Sequence, residues 1–113
     1  MEQSIREMIT EKSILLRDID ALGPNGASVE LAFLSSILSK LNKEIADAQS
    51  VFNMKRLELV IEHKTAAKAK IYAEASKEWN DWQQRLVQRE AVMEMIAACK
   101  YYLRGAEAEM RLR

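Results

Sequence analysis

The chain has 113 residues, with 17 basic and 17 acidic side chains and a formal net charge of zero. This length allows one domain with a modest core, and the balanced charge argues against a strongly basic nucleic-acid-binding protein unless the charge is segregated along the chain. The single cysteine excludes an intramolecular disulfide, and no apolar run approaches the ~20 residues of a membrane span, so we expect a cytoplasmic protein without membrane contact.

The first predicted element is a helix over residues 2–22. Its apolar side chains recur at helical separations and are Ile5, Met8, Ile9, Leu15, Leu16, Ile19 and Leu22. It ends at the sequence GPNGAS, because Gly23 can adopt the left-handed conformation that closes a helix and Pro24 prevents continuation. Ser28 is a good N-cap for the next helix. The sequence therefore predicts a turn over residues 23–28.

The second predicted element is a long helix over residues 28–75. Its apolar seam advances in heptad-like steps through Leu31, Leu34, Leu38, Leu41, Ile45, Ala48, Phe52 and Leu59. Lys55 and Glu62 interrupt this seam. Apolar residues appear instead at Met54, Leu57, Val60 and Ile61. We therefore expect the buried face of the helix to rotate in this part.

The third predicted element is a C-terminal helix over residues 77–112. Either Ser76 caps a new helix with Trp79 in its first turn, or the long helix runs straight through this point. The apolar seam of the C-terminal helix consists of Trp79, Trp82, Leu86, Val92, Ile96, Cys99, Leu103, Ala106 and Met110. Because Trp79 and Trp82 continue into this seam, we expect them to pack in a core or interface rather than to stack on bases.

These elements predict an all-α fold with a single helical domain over residues 1–113. One short and two long helices form an extended helical hairpin with coiled-coil-like packing, and no segment has the alternation typical of a strand. Apolar edges that such a hairpin leaves open are usually covered by a second copy of the chain, so we predict a homo-oligomer. The predicted interface residues are Leu38, Leu41, Ile45, Phe52, Trp79, Trp82, Leu86, Ile96 and Leu103.

We predict that the chain is not an enzyme and that it holds no metal or cofactor. Its only histidine, His63, and its only cysteine, Cys99, are too few for a metal-ligand cluster. Cys99 lies on the apolar seam of the last helix, where cysteine behaves as a small hydrophobic residue. The sequence contains neither a glycine-rich phosphate-binding loop nor a G-x-S-x-G motif.

Positive charge is concentrated in residues 55–77, which carry six basic and three acidic side chains. Four residues spaced by seven form one stripe on an unbroken helix, namely Arg56, His63, Lys70 and Lys77. Lys64 and Lys68 lie beside this stripe, with Tyr72 four residues further on. Such a face can follow a phosphate backbone, and the tyrosine can stack on an unpaired base. The predicted nucleic-acid-binding residues are Arg56, His63, Lys64, Lys68, Lys70, Tyr72 and Lys77.

The alternative interpretation of residues 55–77 is a solvated, strongly helix-forming surface. Two of its lysines can form ion pairs with an acidic residue four positions later, Lys70 with Glu74 and Lys77 with Asp81. Lys64 and Lys68 have no acidic residue three or four positions away, and they stay available for phosphate.

Two segments, IEHKTAAKAKIYAEAS (61–76) and MIAACKYYLRGAEAEMRLR (95–113), resemble the T4-type phage recombination mediator proteins and related small phage recombination accessory proteins. In those proteins a helix with a glutamate, lysines and alanines precedes a tyrosine, and a C-terminal helix carries an Arg-Gly pair near its end. The corresponding residues are Glu62, Lys64, Lys68, Lys70, Tyr72, Arg104 and Gly105. The resemblance covers roughly a third of the chain.

The resemblance implies a small oligomeric protein that binds single-stranded DNA and helps a recombinase to replace a single-strand-binding protein. Lys64, Lys68 and Lys70 would contact phosphate, and the C-terminal helix would assemble the oligomer. We therefore predict a phage-type recombination accessory protein of the bacterial host cytoplasm. Its partners would be itself, single-stranded DNA, and a recombinase or single-strand-binding protein. The alternative is a helical protein–protein adaptor, such as a small chaperone or an inhibitor of a host defence complex, without nucleic-acid binding.

Overall fold

The computed structural model describes residues 4–112 and contains helices and turns but no strand within that range, which confirms the predicted all-α class. In chain order the elements are α1 (Ile5–Leu15), a 3-10 helix (Leu16–Asp18), α2 (Ile19–His63), α3 (Ala66–Glu74) and α4 (Lys77–Arg111). The chain divides into two compact units. The first unit combines the residues up to Lys40 with those from Gln88 onward, and the second unit is Leu41–Val87.

The predicted turn over residues 23–28 is wrong in its extent. Only Gly23 leaves the helical conformation, with φ 70° and ψ 174°. Pro24 and the residues after it are helical, because a proline in the first turn of a helix lacks only an N–H group that would have no helical partner there. Ser28 consequently lies inside α2 and is not its N-cap.

Gly23→Ala is expected to lower the free energy of unfolding by about 1–3 kcal/mol, because a β-carbon disfavours positive φ combined with extended ψ. Urea unfolding followed by circular dichroism would measure this change. Gly105 in α4 is the matched control, since an added β-carbon would meet no atom within 4 Å. Gly105→Ala is expected to raise the stability by about 0.5–1 kcal/mol. Similar destabilisation by both substitutions would contradict the special conformation at Gly23.

The first unit has a core of small and medium-sized apolar side chains. Those with no exposed surface are Ala27, Leu34, Val92 and Cys99. Lys12 of α1 contacts α2, with its Nζ 2.9 Å from Glu30 Oε2 and 4.5 Å from the centre of the Phe33 ring. Burial raises the pKa of the Cys99 thiol, and the negative charge of Glu30 adds to that rise. The thiol therefore stays protonated at neutral pH.

The second unit is an antiparallel helical hairpin. Residues of α2 contact residues of α3 and α4 in nested pairs. These pairs are Glu44 with Arg85, Phe52 with Trp79 and Trp82, and His63 with Tyr72. The chain reverses direction at Lys64 and Thr65, between α2 and α3. The predicted long helix over residues 28–75 is therefore wrong in its length, because α2 ends at His63.

The backbone at Lys64 and Thr65 has the conformations that this reversal requires. Lys64 has a φ of 59°, a left-handed conformation that is uncommon outside glycine. Thr65 is extended and caps α3, since its Oγ1 accepts a hydrogen bond from the Lys68 N–H at 3.4 Å. A second break follows at Ser76, whose Oγ accepts a hydrogen bond from the Trp79 N–H at 3.2 Å. Of the two alternatives for this point, the structure confirms the cap at Ser76.

The buried face of α2 does not rotate as predicted. Phe52 and Leu59 are both buried in one cluster with Ala69 and Ala73 of α3. The four apolar residues expected to take over the buried face are exposed instead, namely Met54, Leu57, Val60 and Ile61. Because alanine side chains are short, α3 can lie close against α2 and keep Leu59 covered.

Candidate nucleic-acid interface

Four of the predicted nucleic-acid-binding residues lie at the end of the hairpin, where three are exposed and His63 is half-buried. We call these residues, His63, Lys64, Lys68 and Tyr72, the hairpin tip. The rings of His63 and Tyr72 stack, with their centres 4.2 Å apart and their planes 5° apart. Tyr72 nevertheless stays 53% exposed, so ring surface remains available beyond the contact with His63. The hairpin tip therefore combines positive charge with an exposed aromatic surface.

The lysines and the arginine among the predicted nucleic-acid-binding residues have no carboxylate partner within the described part of the chain. Arg56, Lys64, Lys68, Lys70 and Lys77 are all exposed and form no ion pair within residues 4–112. The ion pairs that the solvated-surface interpretation predicts, with Glu74 and Asp81, are absent from that range. The Asp81 carboxylate instead lies 3.4 Å from Arg85 Nε. The five cations are thus available to an anionic ligand.

The reversal at Lys64 and Thr65 breaks the predicted stripe of residues spaced by seven. Arg56 and His63 lie on α2, Lys70 on α3 and Lys77 at the start of α4, so no single helix carries all four. Because α3 folds back against α2, Arg56 and Lys70 line the same cleft. The structure therefore divides the predicted face between the hairpin tip and this cleft, and Lys77 belongs to neither.

The cleft is open, has a volume of about 800 Å³ and lies within the second unit. Its lining is largely apolar and includes Phe52, Trp79 and Trp82, which we call the aromatic cluster. The Phe52 ring centre is 5.2 Å from that of Trp79 and 5.4 Å from that of Trp82. The polar residues of the lining are Gln49, Asn53, Arg56, Lys70 and Glu74. Sequence reasoning missed this cleft, since it forms only when α3 folds back, and the possible N-cap at Thr65 was the one local signal.

Both tryptophans pack against the core, as the seam predicted. They contact the buried cluster of the second unit, yet each is only half-buried and lines the cleft. The Nε1 atom of Trp82 is buried and has no hydrogen-bond partner among the described residues. The tryptophans therefore contribute to the stability of the hairpin and also present surface to the cleft.

The residues predicted at an oligomer interface are covered, fully or in part, within one chain. Leu41, Ile45, Phe52 and Ile96 are buried. The half-buried members of the set are Leu38, Trp79, Trp82, Leu86 and Leu103. These side chains belong to the packing of the single chain, and their role between copies stays a prediction.

Searches of protein-family models, curated proteins and solved structures found no match to this chain. Across residues 4–112, no helix combines the length and apolarity needed to cross a membrane. In the same part of the chain, no three His, Cys, Asp or Glu side chains are placed to hold a metal ion.

Proposed function

We propose that this chain is a binding protein that attaches to single-stranded DNA, self-associates and assists the loading of a recombinase. The observation that carries the proposal is the hairpin tip, where unpaired lysines lie beside the exposed ring of Tyr72, which stacks on the half-buried His63. Lys64 and Lys68 supply the charge that neutralises phosphate, and releasing the counterions of the nucleic acid drives such binding. Tyr72 supplies a ring surface on which an unpaired base can stack.

The aromatic part of the hairpin tip favours a single strand over a duplex. Both nucleic acids present phosphates to the lysines, but the base faces of a duplex are already stacked on one another. Stacking on Tyr72 therefore adds affinity only when bases are unpaired, at about 1–3 kcal/mol for each base. His63 holds the Tyr72 ring by stacking on it, so little ordering of this ring is needed when DNA binds.

A protein–protein adaptor without DNA binding is the second candidate function. It is favoured by the apolar residues Met54, Leu57, Ile61 and Ile71, which are between 62% and 77% exposed. Exposed apolar surface of this kind is typical of protein contacts. The contact can be with a second copy, as the first proposal also requires, or with a different protein. In the second case the lysines of the hairpin tip are simply solvated.

Fluorescence anisotropy of a labelled single-stranded oligonucleotide, titrated at several salt concentrations, separates the two functions. We expect saturable binding at low salt, with the logarithm of the affinity falling by about 0.7 per contacted phosphate for each tenfold rise in salt. A duplex of the same sequence should bind more weakly. Undetectable binding at low salt would overturn DNA binding and favour the adaptor.

The accessory role and self-association need their own measurements. Recombinase assembly on DNA that is already covered by a single-strand-binding protein should become faster when this protein is added. Sedimentation velocity should show a species larger than the 12.9 kDa chain. A purely monomeric protein, or one without effect on recombinase assembly, would contradict these parts of the proposal.

A further inference from the structure

We infer that the cleft of the second unit accepts an unpaired base of the bound strand, with neighbouring phosphates on Arg56 and Lys70. This inference rests on the proposed function, and it adds a second contact beside the hairpin tip. Base binding in the cleft would give the tryptophans a role beyond the packing expected from the sequence. Three features of the lining support it: aromatic surface, side-chain amides and unpaired cations.

The two half-buried tryptophans of the aromatic cluster provide ring surface for stacking, and the buried Phe52 packs against both. The Phe52 and Trp82 rings are stacked with their planes 26° apart, and Trp79 meets Trp82 edge-on at 5.5 Å between ring centres. Because these rings hold one another in place, a base entering the cleft needs little rearrangement of them. Bases stack on aromatic side chains with little dependence on sequence, since every base has a π-face.

Two side-chain amides belong to the same lining. Gln49 and Asn53 are one helical turn apart on α2, and both are exposed and line the cleft. A carboxamide donates and accepts hydrogen bonds at the same time, which matches the mixed donors and acceptors on the edge of a base. The amides therefore suit a base that lies flat on the aromatic cluster.

The charges of the lining suit the phosphates on either side of such a base. Arg56 comes from α2 and Lys70 from α3, and neither forms an ion pair within residues 4–112. Glu74 is the one acidic residue of the lining, so the lining keeps a net positive charge. The arrangement allows a strand to cross the cleft with its phosphates close to both cations.

A nucleotide uses this lining more completely than other occupants. The volume of about 800 Å³ lies within the range of about 300–1,000 Å³ that is typical of small-ligand sites. An acyl chain or an apolar side chain of another protein would cover the aromatic cluster but leave the amides of Gln49 and Asn53 unused. A nucleotide engages the aromatic surface, the amides and the cations together.

Tryptophan fluorescence tests this inference directly, because the two tryptophans of the chain both line the cleft. We expect a single-stranded oligonucleotide to quench the emission saturably, in parallel with its binding measured by anisotropy. An oligonucleotide of the same length with abasic sites should bind about tenfold more weakly, since it cannot stack, and should leave the emission unchanged.

A pair of adjacent substitutions provides the matched control. Val60 lines the cleft and is 41% exposed, whereas Ile61 is 77% exposed and lies outside the lining. Val60→Glu and Ile61→Glu therefore add the same charge to the same helix. We expect Val60→Glu to abolish the quenching and to weaken binding by about tenfold, and Ile61→Glu to retain the quenching. Circular dichroism checks that both variants keep their helices.

The outcomes separate the cleft from the proposed function. Binding by anisotropy without a change in tryptophan emission would overturn the base contact in the cleft and leave DNA binding at the hairpin tip intact. Absence of binding at low salt would overturn the proposed function together with this inference. If Val60→Glu alters the sedimentation of the protein alone but neither DNA affinity nor quenching, the cleft is a protein contact and the inference is wrong.

Discussion

Replacing Lys64, Lys68 and Lys70 together by alanine is expected to weaken single-stranded DNA binding by about 100- to 1,000-fold at ~50 mM salt. Each lysine that neutralises a phosphate contributes about 0.7 to the slope of log affinity against log salt, so the loss of three contacts should flatten that slope by about 2. All three side chains are exposed and unpaired in the described chain, so their removal should leave the fold intact. Anisotropy titrations at four or more salt concentrations would measure both quantities.

The control for this variant removes the same charge elsewhere. Lys40, Lys43 and Lys100 are exposed and lie outside the hairpin tip and the cleft. Their joint replacement by alanine changes the net charge equally, and it is expected to weaken binding only slightly through the overall field of the protein. Equal losses of affinity in the two triple variants would show that binding depends on net charge and would contradict a localised contact.

Leu34→Ala is expected to lower the free energy of unfolding by about 2–5 kcal/mol, more than the substitution at Gly23. Leu34 has no exposed surface and lies in the core of the first unit. Its truncation removes buried apolar surface and leaves a cavity that the surrounding helices fill only in part. Urea unfolding would measure the change, with the slope against urea concentration showing whether the unfolded state has altered as well.

Leu57→Ala is the matched control for the truncation at Leu34. It removes the same atoms from the same helix, but Leu57 is 62% exposed. A surface substitution of this kind is expected to change the stability by at most about 0.5 kcal/mol. A comparable loss of stability in both variants would contradict the burial that the structure gives to Leu34.

Helix ends that depend on local chemistry could be predicted from the sequence. Gly23 followed by Pro24 marked the kink within α2, and Ser76 marked the start of α4, whereas the 3-10 helix at Leu16–Asp18 within the helix predicted over residues 2–22 was missed. The extent of the kink was predicted poorly, because Pro24 is compatible with the first turn of the helix that follows it. The same residue type can end one helix and begin another, and only the backbone conformation distinguishes the two.

The reversal at Lys64 could not be predicted in the same way. Lysine rarely takes the left-handed conformation, so its sequence neighbourhood favours an unbroken helix. The break is stabilised by contacts between residues distant along the chain, where Ala69 and Ala73 pack with Phe52 and Leu59. Helix propensity describes only the local preference of each residue. Tertiary packing, which supplies most of the stability of a helix in a protein, is not part of it.

The residues of the candidate site were predicted better than their arrangement. The local excess of basic residues identified the lysines without any knowledge of the fold. Their predicted stripe required an unbroken helix, whereas the stacking of His63 on Tyr72 required the reversal between them. A separation of nine residues does not bring two side chains together on one helix, so this pair could be found only in three dimensions.

The distribution of two rare residue types gives each unit its own natural reporter. Cys99 is the one cysteine of the chain and is buried in the first unit, whereas both tryptophans lie in the second. The rate at which a thiol reagent modifies Cys99 follows transient opening of the first unit, and indole emission follows opening of the second. Comparing the two under increasing urea would show whether the chain unfolds as one cooperative structure or as two separate foldons.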